Sequence, residues 1–251
     1  MTDFTGQVAI VTGAASGLGR ATAELFAQAG ATLLLADVDE ERGREAAADI
    51  GAAFRRTDVG ASVEVDALVA ETVARFGRLD IMVNNAGICP VRPMLDTDDA
   101  TYRRIVAVNM DGVFYGIRAA GRVMKGQGSG SIVSTASTGG ILLTENMVPY
   151  CATKAAVISL TKGAAVELAP HGIRVNCVCP GAMRTGMAAG LEGAERDWFE
   201  ALSPLGRSAD PREMAEAILF LASPAASYVS GHALVVDGAT TAGKRAGRRS
   251  D

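Results

Sequence analysis

Short apolar segments alternate along the chain with longer segments in which apolar residues recur at helical spacing. The short segments are almost uninterrupted, as in VAIVT at 8–12 and TLLLA at 32–36. Uninterrupted apolar strands are typical of a parallel sheet that is covered on both faces. The repeated βα order therefore predicts an α/β fold with a doubly wound parallel sheet and right-handed crossovers. The predicted strands are 8–12, 32–36, 52–57, 79–84, 131–135, 173–179 and 233–236, and the predicted helices are 18–29, 40–49, 63–76, 98–125, 150–168 and 211–222.

Composition favours a single domain over residues 1–251. The chain is 49% apolar with a net charge of −4, which excludes disorder over most of its length, and no linker interrupts the pattern. Residues 185–208 break the rhythm, with Met187 and Trp198 among glycines and prolines, so this segment is predicted to be a substrate-binding lid. Residues 243–251 carry four basic residues and one acidic residue and are predicted to be a disordered tail.

Charge and cysteine usage exclude several classes of protein. Without the basic tail the chain has 20 basic and 27 acidic residues, so no nucleic-acid binding is expected. No apolar segment approaches the roughly 20 residues of a membrane span, and the N-terminal residues lack the basic region of a secretory signal. The four cysteines form no C-x-x-C pair and neither histidine lies in a ligand-spaced motif, so no metal site is predicted. A cytoplasmic protein is expected.

A glycine-rich turn follows the first predicted strand and precedes the first predicted helix. It reads TGAASGLG over residues 12–19. A tight turn needs residues without a Cβ, and the helix that follows presents free N–H groups and a positive dipole end to an anion. The spacing differs from that of nucleoside triphosphatases, whose lysine is absent here. The turn is predicted to bind the pyrophosphate of a dinucleotide through Gly13, Ser16, Gly17, Leu18 and Gly19.

Carboxylates at the ends of two predicted strands indicate how the adenosine would bind. Asp37 ends the second strand, where a carboxylate accepts hydrogen bonds from ribose hydroxyls and repels a 2′-phosphate. No Arg or Lys is adjacent to it in the sequence, and Asp39 and Glu40 add negative charge. The sequence therefore favours NAD over NADP. Asp58 and Val59 end the third strand and are expected near the adenine.

Tyr150 and Lys154 are four residues apart at the start of a predicted helix, so they share one face. A free tyrosine has a pKa of about 10 and is a poor base at neutral pH. An ammonium nearby is expected to lower the pKa of Tyr150, which would prepare it for proton exchange with an alcohol or carbonyl oxygen. Ser137 follows the fifth predicted strand and is expected to hydrogen-bond the same oxygen. Taken alone, such a Tyr–Lys pair is common on helix surfaces.

These motifs together resemble the short-chain dehydrogenase/reductase family over about residues 4–240. The resemblance implies a Rossmann-type sheet of about seven strands and a nicotinamide-dependent oxidoreductase. Ser134 stands where many members carry Asn, and Asp237-Gly238-Ala239 replaces the frequent Asp-Gly-Gly. The matching motifs are Thr12-Gly-x-x-x-Gly17-x-Gly19, Asn84-Asn85-Ala86-Gly87, Asn109, Ser137, Tyr150-x-x-x-Lys154 and Asn176-x-x-x-Pro180-Gly181.

The resemblance implies a role for each matching residue. Tyr150 is the implied acid/base, and Lys154 lowers its pKa and holds the nicotinamide ribose. Ser137 steadies the substrate oxygen, and Asn109 holds a water that links Lys154 to solvent. Family members are usually homotetramers, so a homotetramer is expected. The implied contacts to NAD, beyond those above, are Asn85, Ala86, Gly87, Pro180, Gly181, Met183 and Thr185.

The inferred reaction is hydride transfer between NAD and a secondary alcohol or ketone. Mostly apolar residues are expected around the substrate, which favours a hydrophobic or alicyclic alcohol, for example a hydroxysteroid-like or cyclic one. A 3-oxoacyl-[acyl-carrier-protein] reductase is an alternative that would normally need NADPH and a basic entrance. A non-catalytic NAD(H)-sensing binding protein is another. The predicted pocket residues are Cys89, Thr138, Leu142, Met147, Met187 and Trp198.

Overall fold

The computed structural model of the chain describes residues 3–184, 193, 200–201 and 203–243. All predicted strands and helices lie within two residues of their expected bounds. The strands are β1 (Val8–Thr12), β2 (Thr32–Asp37), β3 (Ala53–Arg56), β4 (Ile81–Asn84), β5 (Gly130–Thr135), β6 (Ile173–Pro180) and β7 (Ala233–Val236). The helices used below are α1 (Gly17–Gln28), α2 (Glu40–Ile50), α3 (Ser62–Phe76), α4 (Asp99–Val106), α5 (Gly112–Gln127), α6 (Val148–Leu168) and α7 (Pro211–Ala222).

The seven strands form one parallel sheet in the order β3-β2-β1-β4-β5-β6-β7. β1 pairs with β2 on one side and with β4 on the other, so the strand order reverses at β1. Ligands of open α/β sheets bind beyond the carboxyl ends of the strands at such a reversal. The fold is therefore the predicted Rossmann-type sheet, with its candidate site beside the turn that follows β1.

Helices cover both faces of the sheet because successive strand residues point to opposite sides. Ile10, Met82 and Ile132 are fully buried in a layer shared with α3, α5 and α6. Val11 and Val83 are fully buried in a second layer shared with α1 and α7. This double burial explains why the strands lack the polar alternation of a one-sided sheet.

The predicted helix 98–125 is confirmed as continuous helical structure from Asp99 to Gln127, and it contains a π-helical segment that the sequence did not predict. A π-helical segment at Ala107–Asp111 separates α4 from α5. Such a turn adds a residue to the helical repeat and rotates the following face. Val108 and Asn109 are buried within it, and Asn109 is completely shielded from solvent. The π-helical segment therefore coincides with a polar side chain that points into the protein.

Two predicted segments lie mostly outside the described residues. The predicted lid at 185–208 is described only at 193, 200–201 and 203–208, and the predicted tail at 243–251 only at Gly243. No described helix combines the length and apolar character that a membrane crossing requires. In the same part of the chain, no three His, Cys, Asp or Glu side chains are placed to hold a metal ion.

The turn after β7 contains backbone strain that a single substitution should relieve. Ala239 has φ +72°, in the left-handed region, and the Asp237 carboxylate accepts a hydrogen bond from its N–H at 2.9 Å. That conformation costs a non-glycine residue about 1–2 kcal/mol. Glycine also destabilises the folded state by about 0.4–1 kcal/mol, because the unfolded chain gains conformational entropy. We expect Ala239→Gly to raise the free energy of unfolding by about 0.5–1 kcal/mol in urea denaturation.

The matched control is Ala100→Gly, at an exposed position of α4. There the same substitution should lower the free energy of unfolding by about 1 kcal/mol, since glycine is unfavourable within a helix. A loss of stability in both variants would show that the conformation of Ala239 carries no strain.

Candidate active site

The glycine-rich turn leaves no room for side chains. Gly13 has φ +66°, and a Cβ there would lie 2.8 Å from the Ala86 Cα atom. A Cβ at Gly19 would lie 2.0 Å from the Gly13 carbonyl oxygen and 2.6 Å from Asn85 Nδ2. Ser16 precedes α1 in an extended conformation, and its side chain does not cap the helix. The first N–H groups of α1, at Gly17, Leu18 and Gly19, therefore border a closely packed backbone cradle that suits an anion.

Asn85 braces this turn with its side chain. Its Nδ2 donates to the carbonyl oxygens of Thr12 at 3.0 Å and Gly13 at 3.4 Å, and its Oδ1 accepts from Thr135 Oγ1 at 3.2 Å. The backbone N–H groups of Asn85 and Ala86 both donate to Thr12 Oγ1. The ends of β1, β4 and β5 are thereby joined. Sequence reasoning missed Thr12 and Thr135 as partners, although Thr12 opens the glycine motif.

Asp37 ends β2 with its carboxylate held against the turn. Its Oδ2 accepts from the Ala15 N–H at 2.9 Å, and its Oδ1 accepts from the Asp39 N–H at 3.1 Å. The sheet also places Arg56 of β3 directly opposite Asp37, a neighbour that the linear sequence does not reveal. Arg56 forms an ion pair with Glu64 at 3.5 Å. The Asp37 carboxylate is thus fixed and half-buried, and the Arg56 guanidinium is paired with Glu64.

Asp58 forms an ion pair that the sequence did not predict. Its carboxylate accepts from Arg104 Nη1 of α4 at 2.9 Å and from the Gly60 N–H at 2.9 Å. Burial disfavours the charged form, but these two hydrogen bonds prevail and lower the pKa of Asp58. Val59 is buried, and its Cγ2 would lie 2.9 Å from a Cβ at Gly112. The pair Asp58–Val59 therefore connects the end of β3 to both α4 and α5.

Ser137 and Tyr150 come together where β5 leads into a short 3-10 turn and α6 begins. Ser137 Oγ accepts from the Gly139 N–H at 3.0 Å. A Cβ at Gly139 would lie 3.4 Å from Ser137 Oγ and 3.5 Å from Tyr150 Cε1. Burial raises the pKa of Tyr150, and a hydrogen bond with Ser137 opposes part of that rise. The absence of a side chain at Gly139 is what lets these two groups lie so close together.

Lys154 lies one helical turn beyond Tyr150 and is almost completely buried. Its Nζ donates to the Thr135 carbonyl oxygen at 2.7 Å and lies 5.6 Å from the centre of the Tyr150 ring. Burial lowers the pKa of Lys154 to about 8. The predicted proximity of Tyr150 and Lys154 is therefore present.

The expected lowering of the tyrosine pKa is wrong for this arrangement. Burial raises the pKa of Tyr150 to about 12, and the hydrogen bond from Ser137 opposes this only in part. The simple Coulomb argument ignored the cost of desolvating a phenolate. It also ignored that the Lys154 ammonium is directed to the Thr135 carbonyl oxygen.

Asn109 uses its side chain to hold the backbone after β4. Its Oδ1 accepts from the Ile88 N–H and its Nδ2 donates to the Ile88 carbonyl oxygen, both at 2.9 Å. Nδ2 also donates to Thr153 Oγ1 at 3.3 Å. A Cβ at Gly87 would lie 3.4 Å from both Asn109 Oδ1 and Lys154 Nζ. Both amide hydrogens of Asn109 are thus engaged in protein contacts, and Gly87 passes close to the lysine.

The segment after β6 is fixed against the C-terminal strand. The Gly181 N–H donates to the Val236 carbonyl oxygen at 3.0 Å, and a Cβ at Gly181 would lie 2.8 Å from Asp237 Cα. Met183 forms an isolated parallel bridge with Ala209. Pro180, Gly181 and Met183 therefore lie at the carboxyl edge of the sheet, as expected. Thr185 lies outside the described residues.

Four of the six predicted pocket residues can be located. Cys89 follows Ile88, and burial raises the pKa of its thiol to about 11. Leu142 is 56% exposed on the segment after Ser137, and Thr138 and Met147 are partly exposed. The Arg92 N–H donates to the Asn146 carbonyl oxygen at 2.8 Å, which joins the two pocket segments. Met187 and Trp198 lie outside the described residues.

The sheet reversal, the glycine cradle and the Ser–Tyr–Lys cluster define a Rossmann-type dinucleotide-binding protein of the oxidoreductase class. A family model described as "Enoyl-(Acyl carrier protein) reductase" matches residues 13–241. The chain belongs to the short-chain dehydrogenase/reductase family.

Two characterised relatives are similar over nearly their full length. The cis-4-hydroxycyclohexanecarboxylate dehydrogenase of Sinomonas cyclohexanicum is 46% identical over 95% of this chain and 98% of its own. The mitochondrial borneol dehydrogenase of Lavandula x intermedia is 42% identical over 93% of this chain and 90% of its own.

Solved structures agree in fold. A short-chain type dehydrogenase/reductase from Mycobacterium marinum is 39% identical with a TM-score of 0.90, over 95% of this chain and 97% of its own. A 3-ketoacyl-(acyl-carrier-protein) reductase from Brucella melitensis, complexed with NADH, is 36% identical with a TM-score of 0.91. The match covers 95% of this chain and 100% of the Brucella chain.

Proposed function

We propose that this protein is an NAD-dependent dehydrogenase of hydrophobic or alicyclic secondary alcohols. The observation that carries the proposal is the approach of Ser137 and Tyr150 around Gly139, at the same sheet edge as the glycine cradle. A hydroxyl pair beside a dinucleotide cradle can bind one substrate oxygen and exchange its proton.

The residues present fit a nicotinamide dinucleotide. The cradle at Gly13, Ser16 and Gly19 would hold the pyrophosphate, because its glycines let the turn pack tightly against Asn85 and Ala86 beside the N-terminus of α1, whose first N–H groups suit an anion. Asp37 would bind the ribose hydroxyls of the adenosine, and Asp58 and Val59 would border the adenine. Towards the nicotinamide, the proposed contacts are Ala86, Gly87, Tyr150, Lys154, Pro180, Gly181, Met183 and Thr185.

In ketone reduction the protonated Tyr150 Oη would donate its proton to the substrate oxygen, which Ser137 Oγ would hold; in alcohol oxidation Tyr150 would accept the hydroxyl proton only as its phenolate. The Gly139 N–H donates to Ser137 Oγ, and Ser137 hydrogen-bonds Tyr150, so both hydroxyls are held where they can reach one substrate oxygen. Bound oxidised nicotinamide supplies the hydride acceptor. Lys154 Nζ, whose pKa burial lowers to about 8, is suited to exchange protons near neutral pH.

Apolar side chains around the entrance support the substrate class. Val91 and Met94 are each 66% exposed on the segment after β4, and Leu142 and Leu143 are 56% and 72% exposed on the facing segment. Exposed apolar groups of this size indicate a hydrophobic ligand. Two relatives are named for alcohols carried on rings, which agrees with this assignment.

A 3-oxoacyl-[acyl-carrier-protein] reductase is the second candidate, favoured by the Brucella structure and by the description of the matching family model. That structure contains NADH, so a preference for NAD does not exclude this candidate. Charge argues against this candidate. The segment after β4 and the segment after Ser137 together carry one basic residue, Arg92, and three acidic residues, Asp96, Asp98 and Glu145. An acidic carrier protein would be repelled by such an entrance.

One panel of assays tests both candidates. The purified protein is mixed with borneol, cyclohexanol or 4-hydroxycyclohexanecarboxylate and either NAD or NADP, and in parallel with a 3-oxoacyl thioester and either NADH or NADPH. The absorbance of the reduced cofactor is followed in each case. We expect turnover of at least one cyclic alcohol with NAD. Activity confined to a 3-oxoacyl thioester and NADPH would overturn the proposal. NADH binding without any turnover would favour the NAD(H)-sensing alternative.

We also propose a cytoplasmic homotetramer. Free thiols at Cys89, Cys151, Cys177 and Cys179 fit a reducing compartment. Exposed aromatic side chains near two surfaces support assembly, Tyr102 and Phe114 on α4 and α5 and Phe220 and Tyr228 near the β7 edge. Light scattering coupled to size exclusion would test this by giving the mass in multiples of 25.8 kDa.

A further inference from the structure

The hydroxyl of Thr153 joins Asn109 to the start of α6. Thr153 is buried, and its Oγ1 donates to the Tyr150 carbonyl oxygen at 2.7 Å. The same oxygen accepts from Asn109 Nδ2 at 3.3 Å. One hydroxyl thus serves as donor and acceptor between the π-helical segment and the helical turn that carries Tyr150.

The other contacts of Asn109 extend this link to the edge of the pocket. Asn109 holds both backbone groups of Ile88, the residue between Gly87 and Cys89. The Gly87 backbone lies close to both Asn109 and Lys154, because a Cβ at Gly87 would be 3.4 Å from Asn109 Oδ1 and 3.4 Å from Lys154 Nζ. A rotation of the Asn109 amide would therefore move the backbone beside Lys154.

We propose that Thr153 is a positioning residue, whose hydroxyl fixes Asn109 and the first turn of α6 so that Tyr150 and the Gly87–Ile88 backbone keep their relative places. The activity part of this inference rests on the proposed dehydrogenase function. Without the hydroxyl, a completely buried amide N–H has no acceptor there and the amide must reorient.

Thr153→Val removes the hydroxyl at nearly constant shape, and Thr153→Ser keeps it. Thr161 gives a matched control because it is fully buried on the same helix, and no hydrogen bond joins its hydroxyl to Asn109 or Tyr150. We expect Thr153→Val to lower kcat for the best alcohol about tenfold, with KM changed less and the pH profile of kcat displaced. Thr153→Ser and Thr161→Val should keep the kcat and pH profile of the unmodified protein.

Amide hydrogen exchange gives a readout that needs no turnover. In Thr153→Val, the backbone amides of residues 87–89 should exchange faster, since the Ile88 N–H depends on Asn109. They should be unchanged in Thr161→Val. Unaltered exchange at 87–89 in Thr153→Val would overturn the proposal, as would a loss of thermal stability with kcat and its pH profile intact.

These outcomes separate the inference from the function on which it rests. Absence of turnover in the unmodified protein would contradict the dehydrogenase proposal, while faster exchange at 87–89 would still support the link through Thr153. Turnover in the unmodified protein with equal kcat in both valine variants would contradict the link alone.

Discussion

Replacing Tyr150 with phenylalanine is expected to lower kcat for alcohol oxidation by about a thousandfold, within the range for loss of a positioned acid/base. The ring and its packing are kept, so the affinity for NADH should stay within about twofold in fluorescence titration. The hydroxyl that lies close to Ser137 is the only group removed.

Tyr102→Phe provides the control, because Tyr102 is 50% exposed on α4. It should keep full turnover. If Tyr150→Phe oxidised alcohols at a rate close to that of the unmodified protein, the assigned mechanism would be wrong. If neither protein turned over any alcohol but both bound NADH, the sensing alternative would gain support.

The raised pKa of Tyr150 predicts how the rate of ketone reduction depends on pH. Burial raises the pKa of Tyr150 to about 12, so the hydroxyl remains protonated, and able to donate, throughout the neutral and moderately alkaline range. The rate of ketone reduction should therefore show no basic limb from Tyr150 below about pH 10. A basic limb near pH 8 would instead match the lowered pKa of Lys154 and would contradict Tyr150 as the titrating donor.

Replacing Asp37 should change the choice of cofactor. Asp37→Asn keeps an oxygen for one N–H contact but removes the charge that would bind ribose hydroxyls and repel a 2′-phosphate. We expect kcat/KM with NAD to fall roughly tenfold to a hundredfold, the loss that follows from weakening hydrogen bonds to a charged group. The ratio of activity with NADP to activity with NAD should rise by at least as much.

Asp39→Asn is the matched control, since it removes the same charge two residues away and retains an acceptor for the Arg42 N–H. Its cofactor ratio should change by only a small factor. An unchanged ratio in Asp37→Asn would contradict the role assigned to Asp37, and an equal change in both variants would point to general electrostatics.

The fold could be predicted because each strand and helix is encoded locally. Uninterrupted apolar segments such as Val8–Thr12 fix the strands, and the glycines at 13, 17 and 19 fix the turn. The positions of Ser137, Tyr150 and Lys154 at one sheet edge then follow from parallel strand order.

What the sequence did not reveal depends on contacts between distant segments. The register of β2 with β3 places Arg56 opposite Asp37, and helix packing brings Arg104 to Asp58. The π-helical segment contains Asn109, whose amide hydrogen-bonds Ile88 and Thr153 from distant parts of the chain. The pKa of Tyr150 depends on the solvent that folding removes, which residue spacing does not specify.

The brace formed by Asn85 has a consequence for redesign of this enzyme. Asn85 and Thr12 join the glycine turn to the end of β5, which carries Thr135 and leads to Ser137. The proposed pyrophosphate cradle and the proposed proton-exchanging groups are therefore held by the same hydrogen bonds. Asp37 is not part of this hydrogen-bond group and contacts the glycine turn only by accepting a hydrogen bond from the Ala15 N–H. Substitutions at the end of β2 are therefore expected to change the preference between NAD and NADP without changing the catalytic step. Substitutions at Asn85 are expected to disturb both cofactor binding and the catalytic step.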